Sequence, residues 1–164
     1  MLFNPIPDTN QGWAYPAWET KDRNVLIYKD DKFELYKNTK ALSRASLFYS
    51  VEVIKDDNKI LERFYSENFD FRKTLILDEE PGINGIEVGS GSASFVLDKP
   101  NKIVIDVKTD TQGLLFLSDN FYLGWKATVN GKPAKIYRAD YTFRAVSVPA
   151  GESTVEFTYK PLSL

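Results

Sequence analysis

The chain has 164 residues, 43% of them hydrophobic and 27% charged, the composition of an ordinary globular domain large enough to bury a core without disulfides or a structural metal. Its 21 basic and 23 acidic side chains leave a net charge of -2, so no basic footprint marks a nucleic-acid partner. It has neither cysteine nor histidine, which excludes thiol nucleophiles, Ser-His-Asp triads, Cys/His zinc sites and histidine pH switches.

The first 24 residues read as an irregular arm, because Pro5, Pro7, Gly12 and Pro16 interrupt any period while Trp13, Tyr15 and Trp18 supply rings to pin it down. Met1-Leu2-Phe3-Asn4-Pro5 lacks the basic and apolar regions of a signal peptide, and no stretch approaches the roughly 18–20 apolar residues that span a bilayer. Residues 25–164 read as a single β-sandwich domain. Apolar runs at 24–28 and 32–36 flank Lys29-Asp30-Asp31 as a hairpin, and a third run at 45–54 puts Leu47, Tyr49, Val51 and Val53 on one face. One short helix follows, capped by Asp56 or Asp57, with Ile60, Leu61, Phe64 and Tyr65 on one stripe covering an edge or face of a sheet.

From residue 74 the text is strand after strand: 74–77, 85–88, 92–97 and 102–108, the last alternating Ile103, Ile105 and Val107 with polar residues. The wholly apolar run 114–117 suits a strand buried on both faces. Trp125, Ala127 and Val129 alternate up to Asn130-Gly131, a strong hairpin signal, and 134–138 returns. A final pair, 143–148 and 154–160, closes across Pro149-Ala150-Gly151-Glu152, with a bulge expected where Ala145 and Val146 break the alternation. Short strands with a turn every eight to twelve residues and one helix predict a mainly β fold, an antiparallel β-sandwich of the jelly-roll or Ig-like kind.

Without His or Cys, chemistry falls to carboxylates, hydroxyls, Lys and Tyr. Asp119, Asp140 and Glu152 sit in or near predicted loops, but a chain with 23 acidic residues yields such triples by chance, so no catalytic residue is assigned. Asp56-Asp57-Asn58 and Asp78-Glu79-Glu80 lack the alternating oxygens of a calcium loop, and Gly89-Ser90-Gly91 lacks the Lys-Ser/Thr of a phosphate loop; no metal or cofactor is expected. The richest segments are 118–125 and 137–144, where aromatic rings and charged groups gather around two turns, the mixture that binds sugars. Tyr122, Trp125, Tyr137, Arg138, Asp140 and Arg144 are the candidate ligand contacts. The competing assignment makes Trp125 and Phe143 core, Tyr122 and Tyr141 half-buried wedges, and Arg138–Asp140 a surface pair worth under about 1 kcal/mol.

The run from Leu117-Ser118-Asp119-Asn120-Phe121-Tyr122-Leu123-Gly124-Trp125 through Asn130-Gly131-Lys132-Pro133, Tyr137-Arg138-Ala139-Asp140-Tyr141, Val148-Pro149-Ala150-Gly151 and Tyr159-Lys160-Pro161 resembles the C-terminal extracytoplasmic domain of the YfhO family of bacterial membrane proteins. Ala41-Leu42-Ser43-Arg44-Ala45 and Phe69-Asp70-Phe71-Arg72-Lys73 are similar to two upstream family segments, with Ser43, Phe71 and Leu123 standing where the family commonly has Pro. The resemblance implies a soluble outer domain of a multi-spanning protein similar to GT-C glycosyltransferases. Other membrane spans would precede it, one would follow the Tyr-Lys-Pro ending, and catalysis would lie in the membrane part. The implied role is non-catalytic: helping the membrane-embedded remainder of the same polypeptide recognise or position a cell-surface glycan or polymer acceptor. The alternatives are a purely structural domain and a free secreted carbohydrate-binding domain.

Overall fold

A computed structural model of the chain describes residues 2–5, 24–82 and 88–161. Within them the protein is mainly β, with one short helix, in two compact units, Met1–Leu42 and Ser43–Leu164. The first unit is a three-stranded antiparallel sheet in the order β1-β3-β2, from β1 (Leu2–Pro5), β2 (Asn24–Lys29) and β3 (Phe33–Asn38). The expected hairpin is present, its turn held by the Asp30 carboxylate, which accepts the Lys32 and Phe33 amides. Strand β1 falls where an irregular arm was expected: Pro5 at its last residue costs no internal ladder bond. The rest of the arm lies outside the described residues.

The second unit is the sandwich. One sheet is six-stranded, in the order β4 (Ala45–Phe48), β9 (Gly113–Leu117), β13 (Phe143–Val148), β12 (Tyr137–Ala139), β6 (Thr74–Leu77) and β5 (Ser50–Val53). The other is five-stranded, in the order β11 (Lys132–Ala134), β10 (Trp125–Val129), β14 (Gly151–Tyr159), β8 (Lys102–Thr109) and β7 (Gly91–Lys99). The strand expected at 85–88 lies largely outside the described residues.

The run 45–54 is two strands, not one. Only Tyr49 separates β4 from β5, yet these are the opposite edges of the six-stranded sheet. Laid flat at about 4.8 Å per strand, that sheet would hold its edges roughly 24 Å apart, whereas the backbone from Phe48 to Ser50 reaches at most about 7 Å. The sheet therefore curls until its edges are joined by the chain. Facing switches at Tyr49: Leu47 packs on the core between the sheets, whereas Phe48 and Val51 belong to the core inside the curl. Leu47 and Val51 thus do not share the face that simple alternation assigned them. The Tyr49 hydroxyl shares a 2.7 Å hydrogen bond with Thr109 at the end of β8, fixing the corner.

Two cores result. Phe48, Leu75, Leu77, Leu114, Phe116, Tyr137, Ala139 and Ala145 fill the curl, while Ile103, Ile105, Leu115, Leu117, Val146, Val148, Val155 and Phe157 fill the space between the sheets. Strand β9 is buried along its whole length because its neighbours point into different cores, as its unbroken apolar run implies. The same geometry replaces the bulge expected at Ala145 and Val146. The β13–β9 register runs without a shift, and the two side chains enter opposite cores. The bulges lie instead at Phe95/Leu97 and Leu26/Tyr28.

Strands β5 and β6 are parallel, the exception in an otherwise antiparallel unit, and a parallel pair needs a crossover. The helix α1 (Asp57–Phe64) is that crossover. Asp56 caps it by accepting the Lys59 amide at 3.0 Å, and Arg63 grips Glu52 of β5 through two 2.7 Å bonds. The span 134–138 is also divided: β11 ends in the five-stranded sheet, and two residues later β12 begins in the six-stranded one.

Burial on both faces of β9 makes a direct prediction. Leu114→Ala and Leu115→Ala, adjacent in sequence, are each expected to cost about 2–5 kcal/mol in urea denaturation; a strand buried on one face would register only one of them.

Candidate functional site

Three of the six candidate residues meet at one end of the sandwich. Inward-facing positions of β13 run Arg144, Val146, Val148, so a guanidinium stands where the core row would carry another aliphatic side chain. Arg144 is 1% exposed. Its Cζ lies 4.0 Å from the Trp125 ring centroid and 5.2 Å from that of Phe157, both rings on the facing sheet. Its Nη2 donates to Asp119 at 2.8 Å, while its Nε and Nη1 meet no acceptor among the described residues. A buried charge of this kind persists only when paired, and aromatic faces supply a further attraction.

Asp119 is shared. Arg44 donates to both its carboxylate oxygens, from Nε at 2.8 Å and Nη2 at 2.9 Å, and reaches Asp98 with Nη1 at 2.6 Å. These bonds, those of Arg44 first, hold the Asp119 carboxyl below the usual carboxylate range. Burial pushes the Arg144 guanidinium down, and Asp119 opposes that shift. Arg44 is the residue that sequence reasoning missed here; it stood only in the segment Ala41-Leu42-Ser43-Arg44-Ala45, and nothing local reveals a partner 75 positions away.

Trp125 also packs against Tyr159, ring centroids 5.4 Å apart, and Tyr159 meets Tyr122 at 6.4 Å. The turn carrying Tyr122 is fixed by its backbone. The Phe121 N–H donates to Thr142 O at 2.6 Å, tying together the two loops singled out in the sequence. Gly124 adopts φ +99 and accepts from the Lys160 N–H at 2.8 Å, and a Cβ there would fall 2.9 Å from the Tyr159 ring. Phe121, Tyr122 and Leu123 are exposed, Tyr122 to 65% and Leu123 to 83%. A shallow groove of about 320 Å³ beside them is lined by Tyr122, Leu123, Trp125, Lys126, Pro133 and Ile136 among others.

The other three candidates are placed differently. Arg138 stands opposite Arg144 in the β12–β13 register and bonds Asp57 at 2.7 Å and Asp78 at 3.0 Å, linking β12 to α1 and to the end of β6. Tyr137 points into the core of the curl and donates to Pro81 O at 2.9 Å. Asp140, at φ +44, donates its N–H to Ile76 O and accepts the Ile76 N–H on Oδ1 at 2.9 Å, extending a β12–β6 ladder that has one residue pair in register. Of the three loop carboxylates, Asp119 pairs with arginines, Asp140 with backbone, and Glu152 with Lys108.

A larger cavity, about 860 Å³, lies elsewhere in this unit, with Tyr49, Ser50, Arg72, Lys73 and Ser90 among its walls. In the sequence its walls come from three segments read separately: the run at 45–54, Phe69-Asp70-Phe71-Arg72-Lys73 and Gly89-Ser90-Gly91. No helix among the described residues is long and apolar enough to cross a membrane, and no cluster of acidic side chains among them is arranged to hold a metal ion.

Burial pushes the Asp140 carboxyl from 3.8 up to about 6, the Ile76 amide opposing. The folded state thus binds this proton more tightly than the unfolded one, so the contribution of Asp140 is most favourable below pH 4 and is lost as the pH rises through 6. Asparagine keeps the acceptor oxygen and tolerates positive φ. Asp140→Asn is therefore expected to stabilise the protein at pH 7, by about 3 kcal/mol at most, with the gain vanishing near pH 4 in denaturation curves taken across that range.

Residues 92–164 match the family model of the bacterial membrane protein YfhO. No curated protein and no solved structure matches the chain.

Proposed function

We propose, for a chain that over residues 92–164 belongs to the YfhO family of bacterial membrane proteins, that this sandwich is a non-catalytic extracytoplasmic domain which positions a cell-surface glycan or polymer acceptor for a membrane-embedded, glycosyltransferase-like remainder of the same polypeptide. The observation that carries the reading is the ring sequence Tyr122–Tyr159–Trp125 beside an open groove with Lys126 on its wall. Aromatic faces stack on the apolar C–H face of a sugar, and flanking cations meet hydroxyls or anionic substituents. Tyr122 is the contact residue in this reading. Trp125 and Arg144 hold it in place from beneath, Arg138 lies one strand further on, and Tyr137 and Asp140 secure the strand that carries Arg138.

A second reading, a domain that stabilises the membrane part without touching substrate, draws on the first unit. Strand β2 lies at a sheet edge, and its Val25, Leu26, Ile27 and Tyr28 are each 45–52% exposed, an apolar surface suited to packing on a partner.

Titration of isotope-labelled protein with cell-wall glycans and polyol-phosphate polymers separates the two. Under the first reading the amides of Tyr122, Trp125 and Lys126 shift, and Tyr122→Ala weakens binding while leaving stability within about 1 kcal/mol. Saturating ligand with no shift at these residues favours the second. Trp125→Ala is not the variant for this test, because removing a ring packed on the core and on Arg144 is expected to cost about 3–5 kcal/mol by itself.

A further inference from the structure

The turn at 121–123 exposes more apolar surface than glycan stacking uses. Leu123, the most exposed of the three at 83%, has no ring to stack on a sugar, and Phe121 and Tyr122 flank it in sequence. Tyr141, also exposed, belongs to the neighbouring loop whose Thr142 carbonyl holds the Phe121 amide. The exposure is built into the fold. Hydrogen bonds at Phe121 and Gly124, the left-handed Gly124 and the Tyr122–Tyr159 ring contact prevent the turn from folding its side chains inward. A rigid protruding tip of Phe, Tyr and Leu costs solubility unless something apolar receives it.

The charges around it are cationic. Lys126 is exposed on β10 and Lys160 just beyond the end of β14, Lys160 donating its amide to Gly124. Of the nearby acids, Asp119 is committed to Arg44 and Arg144, Glu156 to Lys102, and Asp140 to the Ile76 amide. An apolar tip carrying a tyrosine and flanked by lysines matches a membrane surface, where the aliphatic and aromatic groups reach the acyl boundary and the ammonium groups stay among anionic headgroups. These residues fall inside the segment that matches a membrane-protein family.

We infer that residues 121–123, with Lys126 and Lys160, form an interfacial anchor that seats this end of the sandwich on an anionic lipid bilayer. The anchor orients the domain so that the groove behind the tip opens close to the headgroups. It rests on the membrane-protein family and the exposed tip, and does not require the groove to bind glycan.

Because the chain has no cysteine, Leu123→Cys places a single environment-sensitive fluorophore at the tip. The whole 164-residue chain is then mixed with vesicles of phosphatidylcholine containing 30% phosphatidylglycerol as the stated probe composition, on the order of the anionic content that recruits basic interfacial segments. The expected result is a blue shift on the anionic vesicles, with co-sedimentation of unlabelled protein that falls about tenfold in Leu123→Asp and on pure phosphatidylcholine. Leu123→Asp is expected to melt with the parent, since its side chain touches little; should it not, the fluorophore reads the contact alone. An unshifted fluorophore, or equal sedimentation of Leu123→Asp and parent, overturns the proposal. So does a blue shift that depends on protein concentration without vesicles, which would assign the tip to a second copy of the chain. Vesicle binding without glycan shifts would remove the glycan reading and leave this one, and the converse would do the reverse.

Discussion

Arg144 is the constraint on which this end of the molecule is built. A guanidinium in the core row of β13 must be paired, covered and held in one place, and each requirement recruits a different element. Pairing draws in Asp119 from the turn after β9, and Asp119 in turn fixes Arg44 at the start of β4. Covering draws in Trp125 and Phe157 from the opposite sheet, so the two sheets are joined by a cation between rings as well as by aliphatic packing. With Trp125 immobilised, Tyr159 and Tyr122 follow by ring contact, and the turn at 121–124 acquires the fixed, outward conformation that both functional proposals use.

The second organising feature is the curl of the six-stranded sheet. A single residue, Tyr49, joins strands at its opposite edges, so the sheet gains a core of its own besides the one between the layers. This separates the candidate residues. Arg144 and Arg138 stand on the outer side, toward the other sheet and α1, whereas Tyr137 is inside. Closeness in sequence between Tyr137 and Arg138 therefore says nothing about shared surface; alternation alone sends them to opposite faces.

Much of the fold is legible because its signals are local. Asn130 and Gly131 both take positive φ, as a tight hairpin demands, the cap on Asp56 forms as the residue type suggests, and Thr74–Leu77 is a strand at the residues expected. What escaped depends on partners distant in sequence. The break at Tyr49 and the parallel β5–β6 pair follow from sheet closure, which leaves no mark in a window of ten residues. Ala145-Val146 reads as a defect only if a strand has one buried face; with two cores it is regular. The site was legible in part. Tyr122, Trp125 and Arg144 meet as their composition implies, but Asp140 reaches Ile76, 64 positions earlier, and Arg44 had no visible role until Asp119 was beside it.

The central claim is that Asp119 is needed because Arg144 is buried, and a double-mutant cycle tests it most directly. Stability is measured by urea denaturation for the parent, Asp119→Ala, Arg144→Met and the double variant. The account predicts that Asp119→Ala alone costs about 3–5 kcal/mol by stranding a buried charge, and that the same change costs under about 1 kcal/mol once Arg144 is methionine. Equal costs in both backgrounds would contradict it, and would mean that Asp119 serves Arg44 or the turn rather than the cation between the sheets.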